Sequence, residues 1–275
     1  MDYKFSVAMS VYKNDQPNYF KQAMDSIIKQ TLTPNEIILV IDGPISDELK
    51  NVVDTYENKY SLIKTIWLKE NKGLGNALKL AVENAKYDLI ARMDSDDIAV
   101  CDRFEQQINI FKTNPNVDIV GGDISEFIDV DTNIVGIRKV PKENNEIREY
   151  MKIRCALNHV TVMFKKQTVI AAGNYQDWFW NEDYYLWIRM VLINTYFQNT
   201  GTTLVKVRVG KEMYKRRGGK KYFISEKKLQ DFMYKNKVIS LPTYIINVTK
   251  RLIVEIILPN SLREWVFKNL ARSKN

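Results

Sequence analysis

Three aspartates fall within four residues at Asp94-Ser95-Asp96-Asp97, directly after the apolar-leaning run Tyr87-Asp88-Leu89-Ile90-Ala91-Arg92-Met93. Carboxylates packed so closely repel one another, and a hard cation with oxygen ligands relieves the repulsion. The preceding run reads as a strand, so the acids stand in a loop beyond a strand's carboxyl end, where open α/β sheets hold their ligands. Two readings of these residues stand side by side: a divalent-cation site, or a solvated acidic turn in which Asp97 or Asp102 caps the next helix. A second acidic site lies in Trp178-Phe179-Trp180-Asn181-Glu182-Asp183-Tyr184-Tyr185-Leu186-Trp187-Ile188-Arg189, the densest aromatic stretch of the chain. Leu186, Trp187, Met190 and Val191 follow helical spacing, which sets Glu182 and Asp183 near a helix amino terminus, where the dipole favours the ionised form. A carboxylate among aromatic faces can take a proton from a sugar hydroxyl while the rings stack on the sugar. An ordinary helix cap with a hydrophobic staple is the other reading.

Alternating strands and helices must position these acids. Residues 4–12 read as a buried strand, and 18–30 as a helix with Phe20, Ala23, Met24, Ile27 and Ile28 on one face. Residues 36–41 form a second strand that stops at Asp42-Gly43-Pro44, followed by a helix over 47–60, a strand over 63–68 and a helix over 74–85. The fourth strand delivers Asp94. This alternation predicts a parallel α/β sheet with helices on both faces. Further on, the pattern predicts a helix over 103–112, a strand over 117–122 and a hairpin over 127–140 turning at Asp131-Thr132-Asn133. A helix over 143–152 and a strand over 159–164 follow, then a short helix. The turn Glu70-Asn71-Lys72-Gly73-Leu74-Gly75 lies between strand and helix, where backbone amides can meet phosphate. It lacks both the third glycine of the dinucleotide fingerprint and the Gly-Lys-Ser/Thr of a P-loop, so it is weak as a phosphate cradle, and a tight turn with a strained glycine is the other reading.

With 275 residues, 45% hydrophobic and 27% charged, the chain suits a soluble globular protein with a real core. No export signal is read at the amino terminus, and Cys101 and Cys155 lack disulfide or metal spacing, which fits a reducing cytoplasm. His159 is the single histidine, which leaves carboxylates as the acid–base groups. The net charge of +8 is uneven: from Lys206 onward there are 18 Lys and Arg against 5 Asp and Glu, and before it 23 against 28. A basic tail suits an anionic membrane surface, nucleic acid or a phosphorylated ligand. Residues 211–221 read as a flexible basic segment, either closing over a diphosphate or forming a solvated turn. Residues 241–258 are rich in Ile and Val but interrupted by Lys250, Arg251 and Glu255, a poor membrane span. They read as an amphipathic helix lying in a membrane interface, packing on the body, or both.

Ser10-Val11-Tyr12 at a strand end, Asp42-Gly43, Glu70-Asn71-Lys72-Gly73, Asp94-Ser95-Asp96-Asp97 and Glu182-Asp183-Tyr184-Tyr185-Leu186-Trp187-Ile188-Arg189 occur in that order. This ordered set resembles the family 2 glycosyltransferases of the GT-A fold, in the bacterial polysaccharide (amylovoran-type) branch, over about the first 200 residues. The resemblance implies a mostly parallel, Rossmann-like sheet flanked by helices. It sets a catalytic domain at 1–205, with a nucleotide-binding half at 1–100 and an acceptor half at 101–205, and a basic helical extension at 206–275. The implied reaction is inverting transfer of a sugar, hexosyl in type, from a nucleotide diphosphate donor to an acceptor hydroxyl. By the same resemblance Ser10, Val11 and Tyr12 hold the nucleoside and Asp42 bonds the base, typically uracil. Asn71, Lys72, Gly73, Arg92, Asp94 and Ser95 complete the nucleotide-sugar site. Asp96, with Asp94 shared, ligates Mn2+ or Mg2+; Asp97 caps the following helix; and Asp183 is the general base. His159, Trp180 and Glu182 line the acceptor or sugar pocket.

Two departures from the family pattern shape the expectation. No histidine follows His159 to act as a third metal ligand, and the Gln-x-x-Arg-Trp signature of processive synthases is missing, so one sugar is added per encounter. The implied partners are a UDP-sugar, a saccharide or lipid-linked acceptor and an anionic membrane, with no nucleic acid. The implied location is cytoplasmic, peripheral at the inner membrane face. A sugar nucleotidyltransferase is the competing enzyme reading, but it needs a Gly-rich loop after the first strand, where Lys13-Asn14-Asp15-Gln16-Pro17 has no glycine. A non-enzymatic basic module for membrane or nucleic acid explains the tail and leaves the ordered acids without a role.

Overall fold

The computed structural model describes residues 3–210, 218–259 and 262. Its first part alternates as expected: β1 (Phe5–Val11), α1 (Pro17–Ile28), β2 (Glu36–Ile41), α2 (Asp47–Lys59), β3 (Ile63–Trp67), α3 (Leu74–Asn84) and β4 (Leu89–Arg92). Then come β5 (Ile98–Ala99), α4 (Arg103–Thr113), β6 (Ile119–Phe127), β7 (Ile134–Arg138) and α5 (Asn144–Tyr150). β8 (Met163–Lys165), α6 (Lys166–Ala171), α7 (Glu182–Leu192), β9 (Phe197–Arg208), α8 (Lys220–Lys235) and α9 (Leu241–Leu252) complete the described elements.

The strands form one sheet in the order β3-β2-β1-β4-β8-β6-β9-β5, with β7 added on β6. β3, β2, β1 and β4 are parallel, which is why each is separated from the next by a crossover helix. β8 runs antiparallel to both β4 and β6 and joins the parallel half to a mixed half. Alternate residues of the central strands feed two cores. Val7, Met9, Val11, Leu39 and Ile41 meet α1, α2 and α4, whereas Ala8, Ile38, Val40 and Ile90 meet α3, α7 and α8 on the other face. Both faces are apolar because helices cover both, so these strands read as near-continuous hydrophobic runs.

Three expectations about elements need correction. Residues 159–164 are not one strand: His159–Thr161 is a 3-10 turn, and the strand is the shorter β8. The first hairpin strand starts at Ile119 rather than near residue 127, because β6 continues past Gly121-Gly122 without a break. β9 had no prediction; it is paired along its length with β6 and reaches Arg208, past the boundary expected at residue 205.

The carboxy-terminal helices pack on the body. Leu229 and Met233 of α8 are fully buried in the second core. α9 is turned the other way: Asn247, Arg251 and the following Glu255 face inward, while Ile245, Ile246, Leu252, Ile253, Ile256 and Ile257 are exposed. The expected flexible segment at 211–221 falls mostly outside the described residues.

Candidate active site

The carboxyl ends of β1, β2 and β4 converge on one edge, bringing Ser10-Val11-Tyr12, Asp42 and Asp94 together as the parallel topology requires. Asp42 is buried, and its carboxylate is engaged by the loop that follows β3. It accepts hydrogen bonds from the Lys72 N–H at 2.7 Å, the Gly73 N–H at 3.0 Å and the Asn71 side-chain amide at 2.9 Å. Gly43, beside it, has φ +88°, and a Cβ there would lie 2.6 Å from the Asn71 nitrogen. The Asp-Gly pair therefore fixes the Asn71–Gly73 loop: the carboxylate grips it and the missing side chain lets it approach. Gly73, at φ +85°, opens α3.

Asp15 joins this edge although no motif marks it. Its Oδ2 accepts the Ser95 hydroxyl at 2.8 Å and the Tyr12 N–H at 3.0 Å, tying the loop after β1 to the loop after β4. Burial pushes its carboxyl up to about 6 against the pull of those two bonds, and the charge of Asp94 adds to the rise.

Arg92, the last residue of β4, is the cation around which the acids are arranged. Its side chain is only 3% exposed and makes a two-pronged pair with Asp94, each N–O distance 2.5 Å, while Asp94 remains 34% exposed. A second buried cation, Arg103 of α4, donates to the Arg92 carbonyl at 2.6 Å and to the Met93 thioether, so α4 holds the start of the acidic loop. Burial, with Arg92 nearby, lowers its guanidinium to about 9. Asp96 is pushed up to about 6 by burial and then by the charges of Asp94 and Asp15. Asp97 is not a helix cap: its Oδ1 accepts the Arg208 N–H of β9 at 2.8 Å, and α4 begins at Arg103 with Asp102 at the N-cap position. Arg208 stacks on Tyr19 and donates to the Asp96 carbonyl at 3.1 Å, which closes the far side of the loop.

The second acidic site opens α7. Asp183 Oδ1 accepts the Tyr184 N–H at 2.7 Å. Burial raises its pKa; the Tyr184 bond, Arg92 and Arg138 hold the rise back. Glu182 is pushed up to about 7, first by burial and then by the charge of Asp183. A Cβ on Gly75 would touch Glu182, so the start of α7 lies against the start of α3 and the donor-side loop. His159 bonds the Tyr175 hydroxyl at 2.9 Å and sits edge-on to Trp187; burial and the Arg92 charge keep its ring neutral.

Asp183 and Trp180 line one cavity of about 430 Å3, with Arg138, Arg154, Tyr222, Arg251 and Glu255 among the other walls. Trp180 has φ +60° and is 51% exposed, a conformation that large side chains rarely adopt without a constraint. Glu182 and His159, expected in the same pocket, are not among the residues that line it. Sequence reasoning missed Asp15, Arg103, Arg138 and Arg208. Each acts across the fold from an element with no chemical signature, and only pairing partners distant in sequence reveal it.

Among the described residues no three His, Cys, Asp or Glu side chains form a complete cation site. Asp94 and Asp96 nevertheless suit a hard divalent ion that completes its shell with a ligand's diphosphate and water, since such ions are commonly held by one or two carboxylates plus phosphates. The raised carboxyl of Asp96, caused in part by its acidic neighbours, is the local sign that the cluster lacks positive charge.

The model of the Glycosyl transferase family 2 matches residues 6–179, and the chain belongs to that family. It is 38% identical over 98% of its length to an Escherichia coli UDP-Gal:alpha-D-GlcNAc-diphosphoundecaprenol beta-1,3-galactosyltransferase, covering 97% of that protein. It is 37% identical to the amylovoran biosynthesis glycosyltransferase AmsE of Erwinia amylovora, covering 82% of this chain and 84% of that one. Among solved structures it resembles S. aureus TarS 1-349 in complex with UDP-GlcNAc, with TM-score 0.65 and 14% identity over 96% of this chain and 79% of that one. It also resembles the mannosyltransferase PcManGT of Pyrobaculum calidifontis in complex with GDP-Man and Mn2+, with TM-score 0.64 and 13% identity over 95% and 72%. The fold is that of the GT-A glycosyltransferases.

Proposed function

We propose that this glycosyltransferase moves one sugar per encounter from a UDP-sugar to a hydroxyl of a lipid-linked saccharide, with inversion at the anomeric carbon. The observation that carries the reading is the placement of two acid groups around one buried arginine. Asp94 and Asp96 stand at the sheet edge beside the loop that Asp42 fixes, and Asp183 stands in a separate cavity beside Trp180.

On the donor side, Ser10, Val11 and Tyr12 border the nucleoside. Asp42 fixes the Asn71–Gly73 loop and has acceptor capacity left for the base, and the loop it fixes lies where the diphosphate would pass. A divalent ion, Mn2+ or Mg2+, shared by Asp96, Asp94 and the donor diphosphate would offset the charge that develops on the departing nucleoside diphosphate. Arg92 holds the Asp94 carboxylate in place by its two-pronged pair. On the acceptor side, Asp183 takes the proton from the attacking hydroxyl; burial raises its basicity towards the range useful near neutral pH. A single displacement inverts the anomeric centre and needs no covalent nucleophile, consistent with a base set apart from the donor acids. Glu182, mostly protonated until about pH 7, can donate a hydrogen bond to a sugar oxygen beside it.

The outward isoleucines of α9 support a peripheral seat on a membrane, because a helix that buries Asn247, Arg251 and Glu255 while exposing Ile245, Ile253 and Ile257 has no aqueous reason for that orientation. No described helix is long and apolar enough to cross a membrane. The relative from Escherichia coli is named for a diphosphoundecaprenol-linked acceptor, which supports the same acceptor class here. The test is a thermal-shift screen of nucleotide sugars with and without Mn2+, on the parent and on Asp96→Ala. A UDP-sugar should stabilise the parent, more so with Mn2+, and the Mn2+ increment should vanish in the variant. Absence of stabilisation by every nucleotide sugar would contradict the reading.

A further inference from the structure

Arg208, at the carboxyl end of β9, grips two consecutive residues of the acidic loop by different atoms. Its backbone N–H donates to the Asp97 carboxylate at 2.8 Å, and its guanidinium Nε donates to the Asp96 carbonyl at 3.1 Å. The other two guanidinium nitrogens reach away from the loop. Nη1 donates to the Asp129 carbonyl at 3.0 Å, in the turn after β6, and Nη2 to the Gln22 side chain of α1 at 2.6 Å. The guanidinium carbon lies 3.8 Å from the centre of the Tyr19 ring and 4.6 Å from that of Phe127. All three nitrogens of one planar fork are therefore spent on three separate stretches of chain, and two aromatic rings hold the fork between them. The same fork makes no ion pair with the Asp96 carboxylate among the described residues, although it bonds the carbonyl of that residue. Arg92, the other nearby cation, spends its charge on Asp94. A flexible ammonium at position 208 would be free to turn and neutralise Asp96, whereas a fork tied to three neutral acceptors is not. Asp96 is thus fixed at its backbone and free at its carboxylate oxygens, which is what a ligand of a hard cation requires.

We propose that Arg208 is a positioning residue of the donor site, holding the Asp96 peptide so that its carboxylate is presented unpaired to the divalent ion. It acts through Asp96 rather than on the donor itself. Three supports outside the acidic loop, Gln22, the Asp129 carbonyl and the ring of Tyr19, keep the fork in register. Without the fork the loop visits other conformations, and the apparent affinity for the ion falls in proportion to the fraction of molecules with Asp96 in place. The proposal rests on the reading of Asp96 as a ligand of that ion and adds the residue that sets how often the ligand is ready.

The test is Mn2+ binding in the presence of UDP, read from the electron paramagnetic resonance of free Mn2+, with UDP affinity at saturating Mn2+ measured by calorimetry. Arg208→Met keeps the backbone bond to Asp97 and an apolar side chain against Tyr19 and Phe127, but loses the fork. It should weaken Mn2+ binding by about tenfold, as when the ready fraction falls to about one tenth, while UDP affinity at saturating Mn2+ stays within about twofold of the parent. With Mn2+ bound the loop is already in place, so recovery of UDP affinity separates lost positioning from a damaged site. Arg208→Lys should behave like Arg208→Met, since one ammonium cannot span three acceptors. Mn2+ affinity within about twofold of the parent in Arg208→Met overturns the proposal. So does parent-like affinity in Arg208→Lys with the loss confined to Arg208→Met, because charge alone would then suffice. A loss of UDP affinity that saturating Mn2+ leaves in place also overturns it. If Arg208→Met shows no cooperative thermal transition, Gln22→Ala, which removes only an exposed acceptor, should weaken Mn2+ binding by about threefold, and no change there overturns the proposal. A parent that binds no Mn2+ with UDP present contradicts the reading of Asp96 itself, and the proposal with it, before any variant is compared.

Discussion

Breaking the Arg92–Asp94 pair from its two ends should have unequal consequences. Asp94→Asn leaves the guanidinium of Arg92 charged, 3% exposed and unable to shed its proton. Removing one partner of a buried pair typically costs about 3–5 kcal/mol, and the lower end applies because Asp96, Asp97, Glu182 and Asp183 still act on Arg92 from a distance. Arg92→Met leaves instead a carboxylate that is 34% exposed and reaches water, and the other acids can relieve their repulsion by taking protons. That loss should be about 1 kcal/mol at pH 6. Its pH dependence follows from linkage: carboxyls raised in the folded state bind more protons there than when unfolded, so stability falls as pH rises from the ordinary values of 3.8 and 4.5 up to about 6 for Asp96 and about 7 for Glu182. Without Arg92 that fall should steepen. Urea melts in EDTA at pH 6 and 8 measure both variants, and Asp94→Asn should lower the midpoint by about 1 M at pH 6. If Arg92→Met proves as damaging as Asp94→Asn at pH 6, the assignment of the buried charge to Arg92 is wrong.

Other substitutions probe separate links. Glu182→Gln removes an acid whose folded pKa of about 7 exceeds its ordinary value of 4.5, so the parent loses stability as pH rises through that interval and the variant should not. At pH 8 the variant should be more stable by about 3 kcal/mol in urea melts, whatever its activity. Gly43→Ala should displace the Asn71–Gly73 loop, because its Cβ meets backbone and its φ is +88°. UDP affinity, read by calorimetry, should fall by about tenfold or more while the far-UV spectrum is preserved.

The parallel half of the fold was legible because each of its strands is covered on both faces and therefore reads as an uninterrupted apolar run, while α1, α2 and α3 show a single apolar face. β9 was not, since Asn199-Thr200-Gly201-Thr202-Thr203 interrupts it where it bulges against β6. The 3-10 turn at His159 was hidden for a different reason. Val160, Thr161 and Val162 are buried and β-branched, and only tertiary bonds such as the Gln107 amide to the Thr161 carbonyl decide their backbone. At the site, the acids announced themselves by spacing, but the cations that govern them did not. Arg92 was read as a ligand contact, and its pairing with Asp94 as a buried counter-charge was not visible; Arg103 sits on a helix whose pattern gave no reason to bury it. The role of Asp97 depended on Arg208, more than a hundred residues away in the chain. For α9 the amphipathic pattern was visible, but which face turned inward was not, because that depends on Glu226, Gln230 and the cavity they border.

The account stands or falls on Asp183 as the base of the transfer step. Single-turnover transfer from a bound UDP-sugar, with donor affinity measured on the same preparation, tests this for Asp183→Asn. The rate should fall by about a thousandfold while the donor dissociation constant stays within about twofold of the parent. Transfer by Asp183→Asn within about tenfold of the parent rate, at unchanged donor affinity, would contradict it.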